Sequence, residues 1–264
     1  MTAVLDERWG ETEGAVADAL RALLAKECTA AAVREAEAAP DGRAPELEAR
    51  LAAFDLDDLP ADPAVLAAAA WELGRALAPV PFVETATVRA GLGLDRSLAY
   101  GLEGPVPAGV REAVVTRDDG ALVIGVVDAA SARRTSSGEL VVALDAIVRT
   151  DEVVGGPAEA DRLRRLVRLL AAARVVGAGE SLLALGVDYV KRREQFGRPV
   201  GAFQAVAFRL VDAAIAIDGA ALLTRKAAWV ADAVQGGDGA PSTLFATMAW
   251  AKAVDASRLV ATNV

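Results

Sequence analysis

The sequence predicts a mainly α protein with a small β region: an N-terminal helical domain, a reduced middle β-sheet and a C-terminal helical bundle. Three observations carry this expectation. From Thr12 to Leu77 the chain is rich in Ala, Leu and Glu and is interrupted only at short Pro, Gly and Asp breaks. Between about Ser97 and Asp151 the texture changes to short β-branched runs separated by Gly and Asp turns. From Ala158 onward the helical pattern returns and continues without strand signals to the end. The boundaries that follow are 1–95, 96–153 and 154–264.

In the first segment, Ala39-Pro40-Asp41-Gly42 and Leu59-Pro60-Ala61-Asp62-Pro63 delimit several short helices. Asp62 is placed to cap a helix that has Pro63 at its first position and runs through Ala64 to Leu77. In the middle segment Val114–Thr116, Leu122–Val127 and Leu140–Leu144 read as strands with hairpin-like spacing. So few strands make a small sheet that must pack on helices to be stable. In the third segment the run Leu169–Val187 approaches the length of a membrane span, yet it holds Arg174, Glu180, Ser181 and three glycines, so it is expected to be a buried bundle helix. A helix from Phe203 to Asp232 places Phe203, Ala207, Leu210, Ala214, Ile217, Ala221, Thr224, Ala228 and Ala231 at alternating three- and four-residue spacing. That stripe is either the seam of an antiparallel bundle or a subunit interface. Gln235–Pro241 then turns the chain into a last helix.

Composition excludes several classes of function. A chain of 264 residues, 54% of them apolar, can bury a sizeable core. A net charge of −9 opposes nonspecific attraction to nucleic acid or an anionic membrane, so any anionic ligand must be met by local basic groups. Cys28 is the single cysteine and cannot form an internal disulfide; the opening residues lack a secretory pattern, and a cytoplasmic location is expected. The absence of histidine removes Ser-His-acid triads, Cys-His dyads and His-based zinc sites; no metal ligands are assigned.

The most informative stretch is Tyr189-Val-Lys-Arg-Arg-Glu-Gln-Phe-Gly-Arg-Pro-Val-Gly-Ala-Phe-Gln204, which sets a basic cluster, an aromatic, a glycine break and an amide between two long apolar helices. A guanidinium suits a pyrophosphate through paired hydrogen bonds, and an amide suits a ribose or adenine edge. Gly197 allows a tight change of direction. A helix starting near Gly201 aims free N–H groups at any anion there. The alternative reading is a helix C-terminus whose basic residues complement the dipole, followed by an ordinary Phe-Gly-x-Pro stop.

In order and spacing this stretch resembles the signature of the acyl-CoA dehydrogenase family, a Tyr-x3-Arg-x-x-Phe-Gly segment closing one bundle helix and a Phe-Gln pair opening the next. The segment Ala64–Leu77 running into Ala78-Pro79-Val80-Pro81-Phe82-Val83-Glu84 is similar to that family's N-terminal helical domain. The resemblance implies FAD as cofactor, its ADP half bound by Arg193 and Gln204 across an interface, with Gln195 and Phe196 beside it. It also implies an acyl-CoA substrate, removal of its α-proton by a carboxylate, hydride transfer from Cβ to the flavin, and an electron-transfer flavoprotein as acceptor.

Parts of the family pattern are missing. One family position for the catalytic glutamate falls on Val167, which cannot accept a proton; Arg168 follows it where the resemblance implies an arginine near the active site, while the residue by itself reads as an exposed helix charge. The other position lies downstream of Val264, so the chain is expected to stop short of it. Glu180 and Asp188 receive no catalytic role, and no catalytic residue is assigned. The Thr-Glu-Pro-x-Ala-Gly-Ser-Asp-like loop, the Gly-x-Lys stretch and the Gln-x-x-Gly-Gly turn are absent as well. The pattern resembles the short, degenerate subunit of heteromeric acyl-CoA dehydrogenases of bacterial sterol and side-chain degradation, in which a complete subunit supplies the base and each heterodimer carries one FAD. Two alternatives stay open: a flavin-free interaction subunit that keeps the bundle only to assemble, and a fold relative doing non-redox acyl-thioester chemistry.

Overall fold

The computed structural model describes residues 9–39, 43–94, 98–107, 109–135, 140–233 and 240–264. The chain is mainly α with a small β region, as its sequence predicts. Helices α1 (Glu11–Glu27), α2 (Ala30–Ala38), α3 (Pro45–Ala52), α4 (Pro63–Arg75) and α5 (Phe82–Leu92) come first. Asp62 caps α4 as expected: its Oδ1 accepts from the N–H of Ala64 at 2.7 Å and of Val65 at 3.3 Å. The helix stops at Arg75 rather than Leu77, because Leu77 sits at φ 53° and turns the chain into Ala78-Pro79. The break expected at Ala39–Gly42 and the turn from Gln235 lie largely outside the described residues.

The β region forms two small sheets. Strands β1 (Ala99–Tyr100), β3 (Glu112–Thr116), β4 (Leu122–Val127) and β7 (Ile147–Gly155) pair in the order β1-β3-β4-β7. Strands β2 (Val106–Pro107), β5 (Arg133–Arg134) and β6 (Leu140–Val142) pair as β2-β6-β5. The period of two in β3 and β4 sorts their side chains between two contacts. Val114, Leu122 and Ile124 join Tyr100 against Val88 of α5 and Ala160 and Leu163 of the next helix. Ala113, Val115, Val123 and Val127 face Val106, Val142 and Ile147. The sheet thus packs on helices through one face and on the second sheet through the other.

Helix α6 (Pro157–Arg192) opens the bundle, and Glu159 reaches back to accept from the Gly156 N–H at 2.9 Å. It is the one helix among the described residues long and apolar enough to cross a bilayer, and it instead packs on α4, on α5 and on the two helices that follow it, α7 (Gln204–Ala233) and α8 (Ala240–Asn263). The expected α7 stripe is the bundle seam, with Leu210, Ile217, Ala221, Thr224 and Ala228 buried. Trp71, Leu66, Leu73, Leu169, Leu170 and Ile217 anchor the shared core of α4, α6 and α7.

The expectation that no strand follows Ala158 is corrected. A two-stranded hairpin, β8 (Glu194–Gln195) with β9 (Arg198–Pro199), joins α6 to α7. Two-residue strands carry no periodicity, so nothing in the local pattern announced this hairpin or strands β1, β2 and β5. Strand β7 was hidden for another reason: it is an edge strand whose Arg149, Glu152 and neighbours face outward, without apolar alternation.

Candidate functional site

The α6–α7 corner is built from its backbone outward. Arg193 caps α6, its N–H donating to the Tyr189 carbonyl at 2.9 Å, and its own carbonyl accepts from the Val200 N–H at 2.7 Å. That second bond closes the β8–β9 hairpin at its base. Phe196 and Gly197 form the two-residue loop, with φ of 54° and 76°. Positive φ at both central residues is what a type I′ hairpin turn requires. Glycine meets it freely, whereas a side chain in this region costs about 1–2 kcal/mol. The Phe196 ring is 92% exposed.

The corner's basic residues have different fates. Arg192 pairs with Asp188, and the Arg198 guanidinium lies 4.1 Å from the centre of the Phe203 ring. Among the described residues, Lys191 and Arg193 have no ion pair or side-chain hydrogen bond. Gln195 donates to the Glu194 carbonyl at 2.8 Å, and Phe196 meets Phe203 edge-on at 6.2 Å between ring centres. Gln204 is the first residue of α7 and is exposed. The four residues singled out in the sequence, Arg193, Gln195, Phe196 and Gln204, therefore lie on one short corner and face solvent.

This donor set fits the pyrophosphate and adenosine side of a dinucleotide: a free guanidinium, two amides and an aromatic face. It does not enclose a tricyclic ring. The large cleft of the molecule, about 1140 Å³, lies elsewhere, lined by Phe82, Val83, Arg174 and Trp250 among others.

Further along α6 the structure brings together residues that sequence reasoning left apart. Arg168 is not a solvated helix charge: its Nη2 donates to Glu103 Oε1 at 3.1 Å and its Nη1 to Thr247 Oγ1 at 3.2 Å. The Arg164 guanidinium reaches the same Glu103 oxygen at 3.3 Å. Val167 sits between these arginines in sequence, half-buried and packed against core side chains. Glu180 is engaged by Arg75 and by the Trp71 indole N–H at 2.9 Å. Glu72, read only as a helix residue, is buried and accepts from Arg21 Nε at 2.9 Å and Nη2 at 2.8 Å.

Comparison with known proteins meets this geometry at the corner. The family model for the acyl-CoA dehydrogenase C-terminal domain matches residues 165–262, which include all of 189–204. The acyl-CoA dehydrogenase IpdE2 of Mycobacterium tuberculosis is 31% identical over 163 residues, covering 55% of this chain and 50% of that protein. Residues 165–262 thus match the C-terminal domain of the acyl-CoA dehydrogenase family. The acyl-CoA dehydrogenase fold extends over nearly all of the chain: the ChsE4–ChsE5 complex from Mycobacterium tuberculosis superposes with a TM-score of 0.78 at 22% identity, covering 98% of this chain and 86% of that one. The Tcur3481–Tcur3483 steroid ACAD variant does so with a TM-score of 0.75 at 24% identity, covering 96% and 88%. The aligned stretches span half or less of the length of the curated relatives matched.

Proposed function

We propose that this chain is a subunit of an FAD-dependent acyl-CoA dehydrogenase that desaturates an acyl-CoA thioester between Cα and Cβ. It holds the ADP half of FAD across a subunit interface, while a complete partner subunit supplies the catalytic base and most of the flavin and acyl pockets. One observation carries the reading: the corner displays an Arg193 without an ion pair among the described residues, exposed Gln195 and Gln204, and a conformationally costly, 92% exposed Phe196 on a single outward surface. Buried cores have no use for that arrangement, whereas a shared cofactor site does.

In this arrangement Arg193 would hold the pyrophosphate by paired donation, Gln204 would bond the ribose or adenine edge, and Phe196 would exclude water beside it. A flavin held there would supply a two-electron acceptor, with an electron-transfer flavoprotein as the partner that takes its electrons. Val167 offers no proton acceptor at its position, and in this reading a carboxylate of the partner would take the α-proton. The similarity to the ChsE4–ChsE5 complex and to the Tcur3481–Tcur3483 steroid ACAD supports a heteromeric assembly acting on steroid-type acyl thioesters.

The test is flavin absorbance of the purified chain, alone and co-produced with an acyl-CoA dehydrogenase-like partner encoded beside it. A yellow complex is expected only with the partner, and Arg193→Ala is expected to lower its flavin content at least tenfold, as loss of a charge-assisted bidentate contact worth about 1.5–3 kcal/mol implies. Colourless protein in both states would favour the flavin-free interaction or non-redox readings.

A further inference from the structure

The cluster at the meeting of β1, α6 and α8 has the makings of a site that is separate from the corner. Arg164 and Arg168 lie one turn apart on α6, and both guanidiniums converge on a single oxygen of Glu103, at 3.3 and 3.1 Å. Their side chains keep 34% and 30% exposure, so the pair is open to solvent on one side. Thr247 of α8 adds a hydroxyl bonded to Arg168. Arg164 has a second, outward partner in Asp161 at 2.9 Å.

Tyr100 supplies the independent observation. Its residue is 7% exposed, and its buried hydroxyl makes no hydrogen bond of ordinary length and angle, with Glu103 the acceptor near enough to act on it. A buried donor left unmade costs about 1–3 kcal/mol, and such groups in folded proteins usually mark a bound water, an ion or a chemical role. Burial first, and the nearby Glu103 charge second, hold the proton on this hydroxyl, so it remains a donor at neutral pH. Glu103 is carried by the connection Gly101-Leu102-Glu103-Gly104-Pro105, between β1 and β2, with a glycine on each side of Leu102-Glu103.

We propose that Arg164, Arg168 and the Tyr100 hydroxyl form an oxyanion site, for a carboxylate or phosphate group, in which Glu103 is a tethered occupant that a free ligand displaces. Two guanidiniums and a phenol offer more donors than one carboxylate oxygen uses, and the glycine-flanked connection lets the carboxylate withdraw without moving either sheet. The charge logic is local: the chain is acidic overall, so this paired-arginine spot is neutralised internally until a competing anion arrives.

The experiment compares the full-length chain with Glu103→Gln and with Glu103→Gln/Arg168→Gln, each checked for folding by circular dichroism. Inorganic phosphate and acetate are titrated separately, to distinguish the two anion classes. Binding is read by NMR of tyrosine ¹³Cζ, which gives two signals because the chain has two tyrosines, Tyr100 and Tyr189. Removing two half-exposed ion pairs, each worth up to about 1 kcal/mol, is expected to raise the affinity of Glu103→Gln for one of these anions about tenfold. The Tyr100 signal should move with the titration, the Tyr189 signal should stay, and the double variant should lose the response. The proposal is overturned if folded Glu103→Gln binds neither anion more tightly than the parent, which would make the cluster a structural tie. It is equally overturned if Tyr100 is indifferent to bound anion. No flavin or partner enters the assay, so its failure is distinct from failure of the proposed function.

Discussion

At the residue scale, Phe196 concentrates the conflict between stability and use. It occupies a left-handed position that asparagine or glycine would fill with less strain, and its ring gains little from burial. Phe196→Asn is therefore expected to stabilise the isolated chain by up to ~1 kcal/mol in urea denaturation, once the weak edge contact with Phe203 is set against the relieved backbone. The same substitution should weaken flavin retention in the partner complex, read by absorbance. A gain in both would remove the corner's claim to a cofactor. Glu72 shows the opposite case, a charged residue whose importance is wholly structural. It is buried in α4 with Arg21 from α1 and Arg75 from its own helix around it, and in the sequence it looks like any glutamate in an alanine-rich helix.

At the element scale, α4 and α6 cross at glycines. A Cβ on Gly74 would stand 1.9 Å from the Arg174 carbonyl oxygen, and one on Gly177 would stand 2.0 Å from that of Trp71. Both obstacles are backbone, which cannot rotate aside as a side chain can. Alanine favours an isolated helix by about 1 kcal/mol over glycine, yet forcing the helices apart costs more, so Gly177→Ala should destabilise by about 1–3 kcal/mol net. Thermal or chemical unfolding would check this, and an unchanged midpoint would mean that the crossing is looser than the structure has it. The close approach also aligns Trp71 and Arg75 with Glu180, so the crossing sets the polar bridge as well as the core.

At the scale of the whole molecule, the bundle buries one face of α7 and leaves the opposite one apolar. Phe208, Val211, Ile215, Leu222 and Trp229 recur at three-, four- and seven-residue spacing and are all exposed. On α8, Leu244 and Met248 are exposed as well. A stripe of this kind continues from the corner that carries Phe196 and Arg193, which is where the proposed partner subunit would seat. Ile215→Asp is expected to leave the chain's own stability within about 0.5 kcal/mol, since the side chain is exposed, while preventing co-purification with the partner. Size-exclusion chromatography with light scattering reads this directly. Retention of the complex would move the interface off this face.

Taken alone, the sequence determined what depends on local pattern and on ordered motifs: the mainly α architecture, the Asp62 cap, strand β4 to its ends, the existence of the apolar α7 stripe and the grouping of the four corner residues in one short stretch. Each of these is written in spacing, capping or turn chemistry within a few residues. Only the tertiary structure decided what depends on distant pairs. It joined Glu103 to Arg164 and Arg168, and Arg168 to Thr247, tied Glu72 to Arg21, and set Gly74 against Arg174. It also decided that Phe196 stands out in solvent on a hairpin rather than inside a core, because a two-residue strand has no period to read and burial is a property of what packs alongside.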